Sequence, residues 1–500
     1  MARSIAVAIC LLAAGALHAL TLAPFHWWWL ALPSLAVLML SLHSASPKQA
    51  FIRGWLYGAG MFLAGVSWIG VSITQHGQSS FIVAVVLTLS FCILMGLLIA
   101  AQAWIWRRFW RHSAYPALSF AALWVLQEAL RGWMLTGFPW LLLGHAHTDG
   151  PLAGWAPIIG TAGITAIVAG SAALLYRALV QHKSKTLLPA GLLALSLFSS
   201  GPVLNRIEWS QPDGDIETRI SMVQVNIPQA LKWLPESFWP TLMLYQDLSE
   251  PLWEKSDLVI WPEAALPSLY QYMPEFTDRM SNAASEHDTA LITGVLYENE
   301  TGTEVYNSAI ALGSGSGIYF KQRLVPFGEY VPLERYLRGL IGFFDLPTSH
   351  ISPGPAQTEL IQAHQLSLAT YICYEIVYGD RVAKASRRAN ALLTISNDAW
   401  FGRSIGPHQH FQIARMRALE TARPLIRATG TGISALVDHK GQSIVQLPQH
   451  RRAVLNGRIQ GRRGDTPYAR IGSTPVWLFS AAALLISLLS AGQIGRTNRR

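Results

Sequence analysis

Seven apolar runs crowd residues 3–22, 26–42, 51–74, 81–106, 115–134, 157–179 and 187–201, and an eighth follows at 475–492. Each approaches the roughly 20 residues a helix needs to cross hydrocarbon, though the second and seventh are short. Helix is the required form, because lipid offers the backbone no hydrogen-bond partners. The runs therefore predict an α-helical membrane bundle of eight transmembrane helices. A composition of 51% hydrophobic and 13% charged residues excludes a wholly soluble chain.

Basic residues orient the runs. Arg3, Lys48 with Arg53, Arg107-Arg108 with Arg111, and Lys183 with Lys185 all fall on one side of the alternating spans, and Arg496, Arg499 and Arg500 return to it. The intervening loops, 76–80 and 137–156, contain neither Lys nor Arg. The positive-inside rule then predicts both termini in the cytoplasm and the long segment between the seventh and eighth runs outside. The first run reads as a retained helix rather than a cleaved signal, since six further spans follow it. Trp27-Trp28-Trp29, Trp133 and Trp140 sit where an interfacial aromatic belt is expected. Glu128 and Arg131, three residues apart on one face of the fifth helix, read as a structural pair or as part of the mouth of a site.

Residues 1–201 hold ten basic and two acidic side chains, whereas 202–472 hold 25 and 27. The surplus positive charge thus belongs to the membrane part and its loops, which argues against nucleic acid as a partner. Three segments follow: a membrane domain at 1–201, an extramembrane domain at 202–472, and a final helix with a basic tail at 473–500.

After the polar connector 199–214 the periodicity changes. Strands are predicted at 219–227, 257–261, 290–297, 305–312, 366–372, 391–396, 425–437 and 452–459. Helices are predicted at 238–253, 274–286, 376–385 and 409–422. Alternation of this kind predicts an α/β domain with helix-covered sheets.

Three strand ends carry chemistry. The run LSLATYICYEI at 366–376 delivers Cys373 at a strand-to-helix junction, where a thiol stays within reach of a substrate. Cys10 and Cys92 lie in membrane runs, so Cys373 is an unpaired thiol in a compartment where structural cysteines come in pairs. The stretch 257–267 places Glu263 just beyond a buried strand, as a general base requires. The stretch 319–332, YFKQRLVPFGEYVP, offers Lys321 to stabilise an oxyanion and hold a thiolate, with Glu329 eight residues on. Taken singly, each of Glu263 and Lys321 reads more readily as a solvated surface charge. His408 and His410 hint at a metal pair, but an i, i+2 pair at a helix start reads as solvated, and no zinc or phosphate-binding pattern is present.

The order Glu263, Lys321, Cys373, with the motifs VQVNIPQALKW (223–233), WPEAALP, KQRLVPFGEYVP, ICYEI and SNDAWFG (396–402), resembles the nitrilase superfamily. With the membrane spans included, the whole chain is similar to that superfamily's membrane-embedded branch, the apolipoprotein N-acyltransferases. The resemblance implies an α-β-β-α sandwich for the outer domain and a Glu-Lys-Cys triad working by ping-pong acyl transfer. It implies phosphatidylethanolamine as phospholipid donor and the amine of an S-diacylglyceryl cysteine on an apolipoprotein as acceptor. It further implies a bacterial inner membrane location with the catalytic domain in the periplasm, and no cofactor or metal. Glu329 and Glu375 would support the triad; Trp233, Tyr374 and Trp400 would line the pocket. Leu- and Trp-rich loops at 231–270 and 340–346 would dip into the bilayer surface. Two other readings remain open here: a membrane-tethered amidase-like hydrolase, and a transporter or receptor carrying an inactive sensor domain of this fold.

Overall fold

The computed structural model describes residues 2–76, 80–180, 187–326, 328–330, 351–356 and 359–497. The expectations that fall on Lys183 and Lys185, on 331–332, on 340–346 and on Arg499 and Arg500 lie outside the described residues. The chain forms two compact units, one from residues 1–70, 82–207 and 471–500, the other from 71–81 and 208–470.

The first unit is helical. Its elements are α1 (Ala2–Leu20), α2 (Ala31–Leu42), α3 (Pro47–Val66), α4 (Ile69–His76, which runs into the second unit), α5 (Phe81–Phe109), α6 (Pro116–Arg131), α7 (Ala156–Val180), α8 (Leu187–Leu204) and a C-terminal helix, Thr474–Thr497. Among the described residues three helices are long and apolar enough to cross a membrane, Phe81–Phe109, Ala153–Val180 and Leu187–Leu204. A fourth counts if α3 and α4, bent by 52°, form one broken span. Ser4–Leu20, Trp28–Leu42 and Thr474–Ser490 are shorter apolar helices. The third run, expected to be one helix through residue 74, is thus two.

Glu128 and Arg131 resolve toward structure. Glu128 Oε1 accepts from Trp124 Nε1 (3.0 Å) and from the Leu143 amide (3.0 Å), and Oε2 accepts from Thr165 Oγ1 (2.8 Å). The Leu141 carbonyl accepts from His18 Nε2 (3.1 Å) and Arg131 Nη2 (3.4 Å). Both residues therefore tie the irregular segment around 141–143 to the helices, satisfying backbone groups that lipid could not. Trp140, expected at the interface, instead lies inside the unit, 1% exposed and 5.3 Å from the ring of Trp68.

The second unit alternates strands and helices: β1 (Gln211–Pro212), β2 (Thr218–Gln224), α9 (Gln229–Lys232), α10 (Pro235–Ser249), β3 (Leu258–Ile260), β4 (Leu266–Leu269), α11 (Pro274–Glu286), β5 (Ala290–Glu298), β6 (Val305–Gly313), β7 (Ile318–Phe320), β8 (Ile361–Ala363), β9 (Leu366–Ile372), α12 (Gly379–Ser386), β10 (Ala391–Ser396), α13 (Gly406–Thr421), β11 (Leu425–Thr429), β12 (Ala435–Val437), β13 (Ser443–Gln446), β14 (Ala453–Ile459) and β15 (Arg462–Arg463). One sheet runs β14-β2-β3-β5-β6-β7 with β4 beside β5; the other runs β13-β12-β11-β10-β9-β8; β1 and β15 form a short ribbon.

Alternation along the strands builds the layers. Leu258 and Ile260 join Leu368, Ile372, Leu393 and Ile395 in a core between the sheets. Val259 and Trp261 face the other way, onto Tyr245 of α10 and Phe276 and Met280 of α11. α13, buried along most of its length, covers the second sheet at β11. The result is the expected α-β-β-α arrangement. The run 425–437, read as one strand, is the antiparallel pair β11 and β12, turned at Gly430–Gly432.

Candidate active site

Four strand ends converge. Glu263 lies three residues past β3, Lys321 directly after β7, Cys373 directly after β9, and Asn397 directly after β10.

Glu263 is held on both oxygens. Oε1 accepts from Asn307 Nδ2 (2.8 Å) and Lys321 Nζ (3.4 Å), and Oε2 accepts from the Asn397 amide (2.7 Å). Lys321, 1% exposed, also donates to Glu329 Oε1 at 2.8 Å, and Asn307 Nδ2 reaches that same oxygen at 3.1 Å. Burial alone would lower the Lys321 pKa, but the Glu329 and Glu263 carboxylates beside it drive it well above its ordinary value. A lysine so held stays an ammonium. Glu329 Oε2 in turn accepts from the Val325 amide (2.8 Å), which fixes the turn after Lys321.

Cys373 is half-buried and has φ +53, a left-handed backbone that a residue with a Cβ adopts only at a cost. Burial, and then Glu263, push its thiol pKa up, with Lys321 and the Ser396 side chain acting against them. The expected help of Lys321 toward a standing thiolate is therefore outweighed, and the resting group is a neutral thiol that needs a base.

Glu375 ties both sides together. Its oxygens accept from the Ile372 amide (3.0 Å), the Gln322 and Arg323 amides (2.8 and 2.9 Å) and the Tyr319 hydroxyl (2.9 Å). Tyr374 is buried against Tyr378, ring centroids 5.7 Å apart. Trp233 is 39% exposed at the end of α9, and the Trp400 carbonyl accepts from Ser72 Oγ at 2.7 Å.

Several residues escaped the sequence reading. Asn307 is a lone amide in an apolar strand. Lys232, inside a motif already noticed, is buried and donates to the Glu263 carbonyl (3.1 Å); burial pulls its pKa down to about 8. His410, read as solvated, is fully buried: its Nε2 donates to the Cys373 carbonyl at 3.1 Å, and its Nδ1 lies 3.0 Å from both Asp398 Oδ1 and Arg427 Nη2. One ligand atom each from Cys373, Asp398 and His410 lie within 4.8 Å of one another, a spacing that could admit a metal ion. The donor set argues against one. Asp398 Oδ2 accepts from Arg427 Nη2 (2.7 Å) and Oδ1 from Ser396 Oγ (2.8 Å), so a guanidinium already fills the cation's place.

Chemically, a fixed carboxylate, a fixed ammonium and a thiol that share one electrostatic environment can perform acyl transfer through a covalent intermediate.

Residues 14–174 match the family described as the apolipoprotein N-acyltransferase N-terminal domain, and residues 219–468 match carbon-nitrogen hydrolase. The apolipoprotein N-acyltransferase of Azotobacter vinelandii is 44% identical over 496 residues, covering 98% of this chain and 95% of that one. That of Pseudomonas putida is 45% identical over 495 residues, covering 97% of each. Among solved structures, a carbon-nitrogen hydrolase from Helicobacter pylori G27 is 17% identical and covers 53% of this chain and 94% of that chain, with a TM-score of 0.37.

Proposed function

The chain belongs to the apolipoprotein N-acyltransferase family, and from that premise we propose that Cys373 carries the acyl chain in transit. The donor is a phospholipid, phosphatidylethanolamine in this reading, and the acceptor is the N-terminal amine of an S-diacylglyceryl cysteine on an apolipoprotein. This is the last step of lipoprotein maturation. Its setting is a bacterial inner membrane, crossed by eight helices with both termini cytoplasmic and the catalytic unit in the periplasm.

Glu263 takes the thiol proton as Cys373 Sγ attacks the sn-1 ester carbonyl. The Lys321 ammonium and a backbone amide at Tyr374 stabilise the oxyanion. Collapse breaks the ester C–O bond, and the departing lysophospholipid oxygen takes the proton from Glu263. In the second half the acceptor amine attacks the thioester carbonyl and gives its proton to Glu263, and the C–S bond breaks. The thiolate that leaves takes that proton back. Glu329 and Asn307 keep Lys321 and Glu263 in register, and Glu375 holds the loops that present Cys373 and Lys321. Trp233 and Trp400 line the path of the acyl chain. The exposed Leu231, Trp233, Leu234 and Trp239 contact the bilayer surface.

The observation that carries this reading is the buried Glu263–Lys321–Glu329 network, electrostatically coupled to a thiol that cannot ionise unaided. Its test is intact-protein mass spectrometry after incubation with phosphatidylethanolamine and no acceptor. A mass gain of one acyl chain is expected, absent from Cys373→Ala and discharged by a diacylglyceryl lipopeptide. Free fatty acid without an adduct would instead mean a hydrolase. No adduct and no turnover would remove the enzyme reading of Cys373.

A further inference from the structure

The pair His408-Gln409-His410 stood out in the sequence, yet the acyl-transfer chemistry leaves it unused. Gln449 takes up His408, with Nε2 atoms 2.9 Å apart. His410 has a different position: it lies beneath the nucleophile, with no exposed surface, and its partner is the main-chain carbonyl of Cys373 itself.

A carbonyl oxygen only accepts, so the bond to Cys373 requires a hydrogen on His410 Nε2. Arg427 Nη2 donates to Asp398 Oδ2 at 2.7 Å and lies 3.0 Å from His410 Nδ1. Arg427 is itself fully buried, as is Asp398, so the guanidinium cannot turn away to water. His410 therefore carries a hydrogen on Nε2, where it donates to Cys373, while its Nδ1 lies 3.0 Å from both Asp398 Oδ1 and Arg427 Nη2. Burial and the neighbouring Arg427 charge both hold His410 below its ordinary pKa, with Asp398 acting against them.

What that hydrogen bond controls follows from peptide geometry. The unit joining Cys373 to Tyr374 is planar and trans, so its C=O and N–H point in opposite directions. Holding the carbonyl toward His410 turns the Tyr374 N–H to the opposite side of the peptide. Cys373 sits at φ +53, where the backbone drifts unless its surroundings over-determine it. Glu375 fixes the strand end one peptide earlier, the unit joining Tyr371 to Ile372, through the Ile372 amide. His410 fixes the peptide after Cys373.

We infer that His410 is a positioning residue: its bond to the Cys373 carbonyl aims the Tyr374 N–H at the oxyanion that forms when the thiol attacks an ester. Asp398 and Arg427 hold His410 in place for that task. The inference rests on Cys373 being the acyl carrier, and it adds a role for a side chain that never touches substrate.

The test compares His410→Gln with His410→Asn in the full-length protein. The two amides share their chemistry and differ by one methylene; Gln reaches the Cys373 carbonyl and Asn does not. Two rates are measured for each. The first is formation of the acyl-enzyme from phospholipid without acceptor, which builds an oxyanion. The second is alkylation of Cys373 by iodoacetamide, which attacks carbon and builds none. Loss of one aimed oxyanion donor should slow acylation on the order of 10²-fold in His410→Asn, with alkylation unchanged within about 3-fold. Gln should recover acylation to within about 10-fold of the wild type. Equal acylation in both variants and the wild type overturns the inference. So does a parallel loss of acylation and alkylation, which a loosened scaffold would cause. If the wild type itself forms no acyl-enzyme, it is the reading of Cys373 that has failed, and alkylation still reports on the thiol.

Discussion

Glu375 shows what one residue does at this site. Its carboxylate accepts from three backbone amides and a tyrosine hydroxyl, drawn from the strand end before Cys373, from β7 and from the loop after Lys321. Burial raises its pKa, and the backbone amides together with Lys321 pull against that rise. Glu375→Gln puts an NH2 group where backbone donors already point, leaving buried donors without an acceptor. A loss of roughly 2–4 kcal/mol is expected, with acyl-enzyme formation falling alongside. Thermal unfolding of the detergent-solubilised protein and the acylation rate check it together; a Gln variant equal to the wild type in both would contradict the assignment. The strand-end positions of Glu263, Lys321 and Cys373 were legible from the apolar runs before them, but Glu263 and Lys321 taken singly read as surface charges, and only the resemblance joined the three. Asn307 and His410 were not legible, because their partners are long-range in sequence, Glu263 at 44 residues and Cys373 at 37. No local pattern encodes such contacts.

At the scale of elements, the position of Glu263 depends on its neighbouring strand. Gly294 lies in β5, and a Cβ there would come within 2.5 Å of the Pro262 carbonyl and 2.7 Å of Glu263 Cα. Both are backbone contacts, so the 262–264 turn would have to move. That turn is already tight, with Ala264 at φ +47 and its neighbours bonded to β5 through the Trp261 and Ala265 amides. Gly294→Ala should therefore cost about 1–3 kcal/mol of stability by overpacking. It should also slow acylation more than that loss explains, because Glu263 shifts against Lys321. Acylation rates measured well below the unfolding temperature separate the two effects; an unchanged rate would show that the turn yields without moving the carboxylate. The same scale explains where strand boundaries were legible. β9 and β10 are short apolar runs with chemistry at their ends, and they begin and end as expected. β11 and β12 merged into one expected strand because apolar residues recur on both sides of Gly430–Gly432, at Leu425 and Ile426 and again at Ala435–Val437, so periodicity gave no sign of the turn between them. The bend between α3 and α4 was hidden likewise, since apolar residues continue through it.

At the scale of the whole molecule, the two units are not successive halves of the chain. Residues 71–81 leave the helical unit and belong to the catalytic one, where Ser72 Oγ donates to the Trp400 carbonyl. The chain thus passes between the units at 70/71, 81/82, 207/208 and 470/471. Apolarity marked which segments are helical, yet helix length makes the count of crossings less direct: at about 1.5 Å per residue, the 12 residues of α2 span less than the hydrocarbon thickness. Charge is the stronger guide, because the basic residues recur on alternate loops. The expected arrangement puts Lys48 and Arg111 on the cytoplasmic side and Asp215 and Glu300 on the outer side. All four are exposed, so each can be replaced by cysteine without disturbing a core. In a background lacking Cys10, Cys92 and Cys373, a membrane-impermeant maleimide applied to spheroplasts should label Asp215→Cys and Glu300→Cys directly. Lys48→Cys and Arg111→Cys should label only after lysis. The opposite pattern would invert the topology and put Cys373 on the cytoplasmic face. Labelling of all four before lysis would mean that the loops do not alternate across a bilayer, and the arrangement read from their charges would fall with it.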